Sequence, residues 1–426
     1  MDQQNIHPHK TIWQNKIFMK LFASYSVSML GHWFDMVAII ILFSYVWQAS
    51  PLVIALIPVA YALPQVLLSQ FAGVLTDQYH RVKIMLVSDS VTAVLTLLLF
   101  FTNSPWPALI LLALRSAVNV VHSPAQQGLI KLVVDEKLIM KAVTLNGTVN
   151  QMSKIIGPFA GASLAGFLSP KFCILVNAAA FTISALILLT IVLNKKMIRE
   201  TAMVQEKGEQ KEGFWSSWLE GWKIVLKSRI LFISLISIVI GFIAIQMIDI
   251  QFPVLFREIA PDLPELTGWL MGASGLGAVL MILVLNRFST LNNYGILIGL
   301  SMLLIGTGFG GLGFLREGFF LLLPVFLGIS AGLGVGLLSI TFQYLIQKET
   351  TEKEIGRVSG IANSLISMTV LVSPLVGGML VQHFGVAVIC IACGGFLILF
   401  GLGLAAGSPF LEGKKKLTKE KAAAVE

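Results

Sequence analysis

Two acids, a lysine, an arginine and a histidine stand inside stretches that are otherwise continuously apolar: Asp35, Asp249, Lys154, Arg115 and His32. A charge at the centre of a membrane-crossing helix costs on the order of 2.5–3.5 kcal/mol even on a lenient scale, so each needs a task or a partner. A carboxyl group held away from water is easier to protonate. Asp35 and Asp249 are therefore suited to bind and release protons and, when ionised, to hold cationic substrates. His32 lies three residues before Asp35, on the same helical face, where it either extends a proton relay or packs through a hydrogen bond. Lys154 is too deep in its run to snorkel to the surface, and Asp35 is the first partner expected for it. Arg115 has the same need, met by a structural ion pair or by a part in proton transfer.

These residues must be positioned by helices. The chain has 426 residues, 56% hydrophobic and 12% charged, with a mean hydropathy of +0.84, whereas soluble domains carry about 25% charged residues. At roughly 20 residues per crossing the apolar runs hold about twelve membrane helices. They are expected at 17–46, 52–74, 83–102, 107–130, 142–168, 172–193, 230–256, 266–286, 293–315, 318–346, 356–382 and 385–408. Runs such as 172–193 are continuously apolar and lack the strict alternation of a membrane barrel. The fold class is an all-α polytopic membrane protein, 12 transmembrane helices arranged as two pseudo-symmetric six-helix bundles. A soluble enzyme is excluded, and no room remains for a nucleic-acid-binding domain. The net charge of +8 then belongs to the membrane surface.

Residues 1–194 form the first expected bundle, 195–229 a cytoplasmic linker, 230–410 the second bundle and 411–426 a basic tail. Within the linker Trp215, Trp218, Trp222 and Leu226 share one helical face, as in a helix lying on the inner leaflet. With the N-terminus inside, the basic residues gather at inner segments, among them Arg81, Lys83, Lys131, Lys137, Lys141, Lys348 and the tail. Only Lys171, Arg257 and Arg316 fall outside. The positive-inside rule then places both termini in the cytoplasm of a cell (inner or plasma) membrane protein. The halves are related by an offset of 216 residues, which lays Lys141 on Arg357, Pro158 on Pro374 and Gly161 on Gly377. Such parallel repeats are a feature of secondary transporters, and the same offset brings Asp35 within two residues of Asp249.

Other chemistry is poorly supported. Cys173, Cys390 and Cys393 lie in apolar runs, and Cys390-Ile-Ala-Cys393 reads as packing, with no polar group nearby to activate a thiol. The histidines lack metal-ligand spacing, and no phosphate-binding G-x-x-x-x-G-K-[ST] segment is present. No cofactor and no metal are expected, the proton gradient being the energy source.

Between the second and third spans the chain reads Gly73-Val74-Leu75-Thr76-Asp77-Gln78-Tyr79-His80-Arg81-Val82-Lys83, followed by Asp89 in the third span. This resembles the loop signature of the major facilitator superfamily, with Gln78, His80 and Val82 as departures. The resemblance implies that Gly73, Asp77, Arg81, Lys83 and Asp89 belong to a gating latch between the halves. Ser123-Pro124-Ala125-Gln126-Gln127 and Lys154-Ile155-Ile156-Gly157-Pro158-Phe159-Ala160-Gly161 are similar to the macrolide-efflux and enterobactin-exporter branch. Span one is similar to that branch's S-x-x-G-D-W segment, but His32 replaces the acid and Asp35 stands displaced. Gly157, Pro158 and Gly161 resemble the family's antiporter motif, implying a close approach of helices five and eight, with Pro374 and Gly377 as the repeat counterpart. Arg115 resembles the basic residue of a motif tied to proton transfer.

The function so implied is a monomeric secondary active exporter, proton-coupled and working by alternating access. Its partners would be amphipathic small molecules of macrolide or multidrug type, some cationic, together with protons and membrane lipids. The alternatives are export or flipping of an endogenous metabolite such as a siderophore or lysophospholipid, and a non-transporting membrane scaffold or receptor.

Overall fold

The computed structural model describes residues 11–201, 222–288 and 290–408, and among them every regular element is helical. Eleven helices among these residues are long and apolar enough to cross a membrane. The span expected at 142–168 is a 32-residue helix, Glu136–Phe167. At 1.5 Å per residue it is about 48 Å long, ample for a hydrocarbon layer of about 30 Å. It falls outside the eleven because its middle turns carry Asn146, Asn150, Gln151 and Lys154.

The chain forms two compact units, Met1–Ala49 with Val59–Lys207, and Ser50–Pro58 with Gly208–Glu426. In the first unit α1 spans Lys16–Ile41 and runs on through a π turn, Leu42–Val46. There follow α2 (Pro51–Gln78), α3 (Arg81–Phe100), α4 (Pro105–Asn119), α5 (His122–Val133), α6 (Glu136–Phe167), α7 (Pro170–Leu193) and the short α8 (Lys195–Glu200). Several starts are written in the sequence. Pro105 and Pro170 stand in the first turn, where a missing N–H costs nothing, and Asn15 and Ser169 cap their helices by accepting from the amides of Phe18 and Phe172. The expected fourth span is two helices because the ring of Pro124 would clash with the carbonyl four residues earlier, and the chain turns at Val120 and Val121. Helix α7 packs on α1 and α3, α1 on α6, and α3 on α4 and α5. At one end of the unit Phe18, Met85, Leu129, Ala142 and Leu188, one from each of five helices, form a buried apolar cluster.

In the second unit α9 (Arg229–Ile248) gives way to a 3-10 turn, Asp249–Gln251, and then α10 (Phe252–Ile259). Pro253 explains the break, since it offers no N–H to the carbonyl of Asp249. The remaining helices are α11 (Leu266–Leu285), α12 (Tyr294–Leu312), α13 (Leu323–Glu349), α14 (Glu352–Phe384) and α15 (Val386–Ala406). Helix α12 packs on α13 and α15, α11 on α13, and α9 on α14. Counted as spans, the first packs on the fifth, the third on the sixth and the third on the fourth within each unit. The internal repeat is therefore also a repeat of packing. Trp215 and Trp218 of the expected interfacial helix lie outside the described residues, while 222–227 is helical.

Candidate functional site

Asp35 is fully buried on α1, and Arg115 of α4, 3% exposed, meets it at 2.5 Å between Nη1 and Oδ2. Asn177 of α7 donates from Nδ2 to the same oxygen at 2.8 Å. The other guanidinium arm donates to the hydroxyl of Tyr61 on α2, and Nη1 also reaches Thr96 Oγ1 of α3 at 3.4 Å. Five helices thus converge on the buried Asp35–Arg115 pair. The expected pairing of Asp35 with Lys154 is not made. A planar guanidinium serves two acceptors from fixed directions, which an ammonium does less well. The ammonium of Lys154 instead lies 5.8 Å from the centre of the Trp33 ring, and Lys154 makes no ion pair among the described residues. His32 stands edge-on to Tyr61, ring centres 5.8 Å apart, and to Trp33 at 6.0 Å. It joins the cluster by aromatic packing and makes no hydrogen bond to Asp35.

A second buried acid, Asp89 of α3, accepts from Ser184 Oγ of α7 at 2.5 Å and faces Nε2 of His122 on α5 at 3.4 Å. Ser184 Oγ in turn lies 2.6 Å from Ser24 Oγ of α1. Asp89 is thereby engaged inside its own unit by residues remote from the loop motif with which the sequence groups it. That motif is itself mostly helical. Gly73 and Asp77 lie in the last two turns of α2, Arg81 and Lys83 in the first turn of α3, and only Tyr79 and His80 fall between. The side chain of Asp77 lies outside the described residues. Arg81 donates from Nε to the carbonyl of Thr76 at 3.3 Å, and its guanidinium lies where a side chain on Gly128 would be. Lys83 is exposed.

Gly157 and Gly161 pack against α1. A Cβ on Gly157 would come 2.5 Å from Trp33 Cβ, and one on Gly161 2.6 Å from the carbonyl oxygen of Phe34. In the second unit Gly377 of α14 is pressed in the same way on the backbone of Met247 in α9. These glycines therefore bring the fifth span onto the first and the eleventh onto the seventh. Pro158 and Pro374 lie inside helices that continue through them. Asp249 opens its 3-10 turn half-buried and, among the described residues, without a side-chain hydrogen-bonding partner, while Gln251 beside it is fully buried and donates to the carbonyl of Pro51 at 3.0 Å.

A cavity of about 990 Å³ opens within the first unit between α1, α2, α5 and α6. Its wall is rich in amides, including Asn119, Gln126, Gln127, Asn146, Asn150 and Gln151. Asn150 donates to the hydroxyl of Tyr25 at 3.3 Å. The side chain of Gln126, 5% exposed, makes no hydrogen bond among the described residues, and neither does the buried Oδ1 of Asn146.

The family model described as Major Facilitator Superfamily matches residues 21–368 and 264–425. The chain belongs to the major facilitator superfamily. It is 29% identical over 415 residues to the uncharacterized MFS-type transporter YfiS of Bacillus subtilis (strain 168), covering 96% of this chain and 97% of that one. Macrolide efflux protein A of Streptococcus pyogenes is 23% identical over 88% of this chain and 91% of its own. The fold is shared with a crystal structure of a POT family transporter in complex with 5-aminolevulinic acid, at a TM-score of 0.71, 12% identity, and coverage of 95% of this chain and 98% of that one. As a member of this superfamily the protein is a multi-pass membrane transporter. Tyr61, Asn177, His122 and Ser184 are missing from the sequence-derived site. Asn177 had a usable signal, as an amide alone in an apolar run; Tyr61 and His122 had none, because their roles depend on which helices touch.

Proposed function

We propose that the protein is a proton-coupled exporter of amphipathic small molecules, working by alternating access in the cell membrane with both termini cytoplasmic. The observation that carries this reading is the buried Asp35, tied to Arg115, Tyr61 and Asn177. An acid so placed is costly unless its charge is used or cancelled. Protonating Asp35 removes the charge that holds α4 to α1. Arg115 stands one turn before the break at Val120 and Val121, so releasing it frees a short helix at its own joint. Proton uptake is thus linked to a change in helix position, as a population shift between two states requires. Asp249, at the Pro253 break and without a side-chain partner among the described residues, is a second candidate proton site. The similarity to macrolide efflux protein A supports export as the direction. Export of an endogenous metabolite is the second reading, favoured by the amide-lined cavity, which suits a polar cargo better than a purely greasy one.

The test is proton flux in proteoliposomes holding a pH-sensitive dye, with macrolides, lipophilic cations and lysolipids added one at a time. The expected result is compound-triggered proton movement in the parent protein that disappears in Asp35→Asn. Undiminished proton-driven efflux in both Asp35→Asn and Asp249→Asn, with normal folding, overturns the coupling assignment.

A further inference from the structure

The amide-lined cavity has a sign of charge. None of its lining residues is Asp or Glu, and Lys131 stands at its rim. One turn beyond Asn150 and Gln151, on the same face of α6, stands Lys154. Thirteen residues separate it from the nearer helix end, about 20 Å at 1.5 Å per residue, beyond the reach of snorkelling. Two acids deep in this unit are already engaged, Asp35 by Arg115 and Asn177, and Asp89 by Ser184 and His122. Lys154, exposed and one turn beyond the residues that line the cavity, makes no ion pair among the described residues, and Trp33 is an aromatic wall beside it. An ammonium in that position is stabilised by an anion that comes and goes. The unpartnered amides of Gln126 and Asn146 offer both donors and acceptors to the same guest.

We propose that this cavity takes an organic anion rich in hydroxyl or amide groups, its anionic group held by Lys154 and its polar groups by Gln126, Asn146 and Asn150. The proposal rests on reading the cavity as the transport site and reverses the cationic preference expected from Asp35 and Asp249. Lys131 at the rim draws the anion in, and Lys154 fixes its charged end at depth.

The experiment is calorimetric titration of the full-length protein in lipid nanodiscs with three probes of one shape: p-nitrophenyl β-glucuronide, the neutral p-nitrophenyl β-glucoside and the cationic 6-amino-6-deoxy glucoside. The glucuronide is expected to bind about tenfold or more tightly than the other two, the worth of one charge-assisted hydrogen bond. Lys154→Gln is expected to abolish the preference and Lys154→Arg to keep it, at unchanged thermal stability. Equal binding of the three, preference for the amine, binding of none, or a preference that survives Lys154→Gln overturns the proposal. No gradient is involved, so the binding preference is read without proton coupling, and a failure of coupling is thereby kept distinct from a failure of this assignment.

Discussion

Asp35 is tolerated in hydrocarbon because Arg115 cancels its charge and Asn177 shares its oxygen. A buried pair of this kind adds little over an apolar pair, but removing one partner strands the other, at a cost of about 3–5 kcal/mol. Arg115→Ala is therefore expected to lower thermal stability in detergent sharply, and Arg115→Ala with Asp35→Asn to recover most of the loss. Equal stability of the single and double variants would show that the pair is not what holds these helices. The Asp89 group is a separate device with its own helices. Ser184→Ala removes one of the two partners of a buried carboxylate, and a loss of about 1–3 kcal/mol is expected, read as a lowered unfolding midpoint. The effect should add to that of Asn177→Ala if the two networks are independent.

Small residues set the helix spacing. A side chain on Gly161 or Gly377 meets backbone across the interface, and backbone cannot rotate away. Gly161→Leu and Gly377→Leu are expected to cost about 1–3 kcal/mol or more through overpacking. Gly73→Ala is the internal control. Nothing lies within 4 Å of its added Cβ, and the helix gains about 1 kcal/mol of propensity. Unfolding midpoints should therefore fall for the first two and hold or rise for the third. The helix breaks have equally local causes. Pro124 and Pro253 each remove a hydrogen bond to the turn before them, and they put joints next to Arg115 and at Asp249. Pro253→Ala is expected to extend α9 through Asp249 and slow transport while raising thermal stability. Slower turnover without a change in expression is the readout.

At the scale of the whole molecule, the packing of first on fifth, third on sixth and third on fourth spans recurs in both units, as the 216-residue offset in the sequence requires. Orientation belongs to this scale, because the charges that decide it are spread over every loop. In intact cells a membrane-impermeant thiol reagent is expected to label Arg316→Cys, and to label Lys195→Cys only after permeabilisation. The native thiols are buried or half-buried and give a low background. Labelling in the opposite order would invert the topology and, with it, the side on which the amide-lined cavity loads.

Composition and periodicity were enough to determine the class, the helical spans and the duplication, because burial in hydrocarbon is written residue by residue as apolarity. They also exposed the charges that pay most for being there. The partners of those charges were not legible. Asp35 meets Arg115 eighty residues away and Asn177 beyond that, and nothing in the spacing distinguishes Arg115 from Lys154 as its counterion. Nor does the loop signature reveal that Asp89 turns inward to Ser184 and His122, since a helix presents several faces and only its neighbours decide which one is filled. Which cations find a partner within the protein is a property of packing. The tertiary structure alone decided that Arg115 is spent inside the protein and that Lys154, beside an amide-lined cavity, is not.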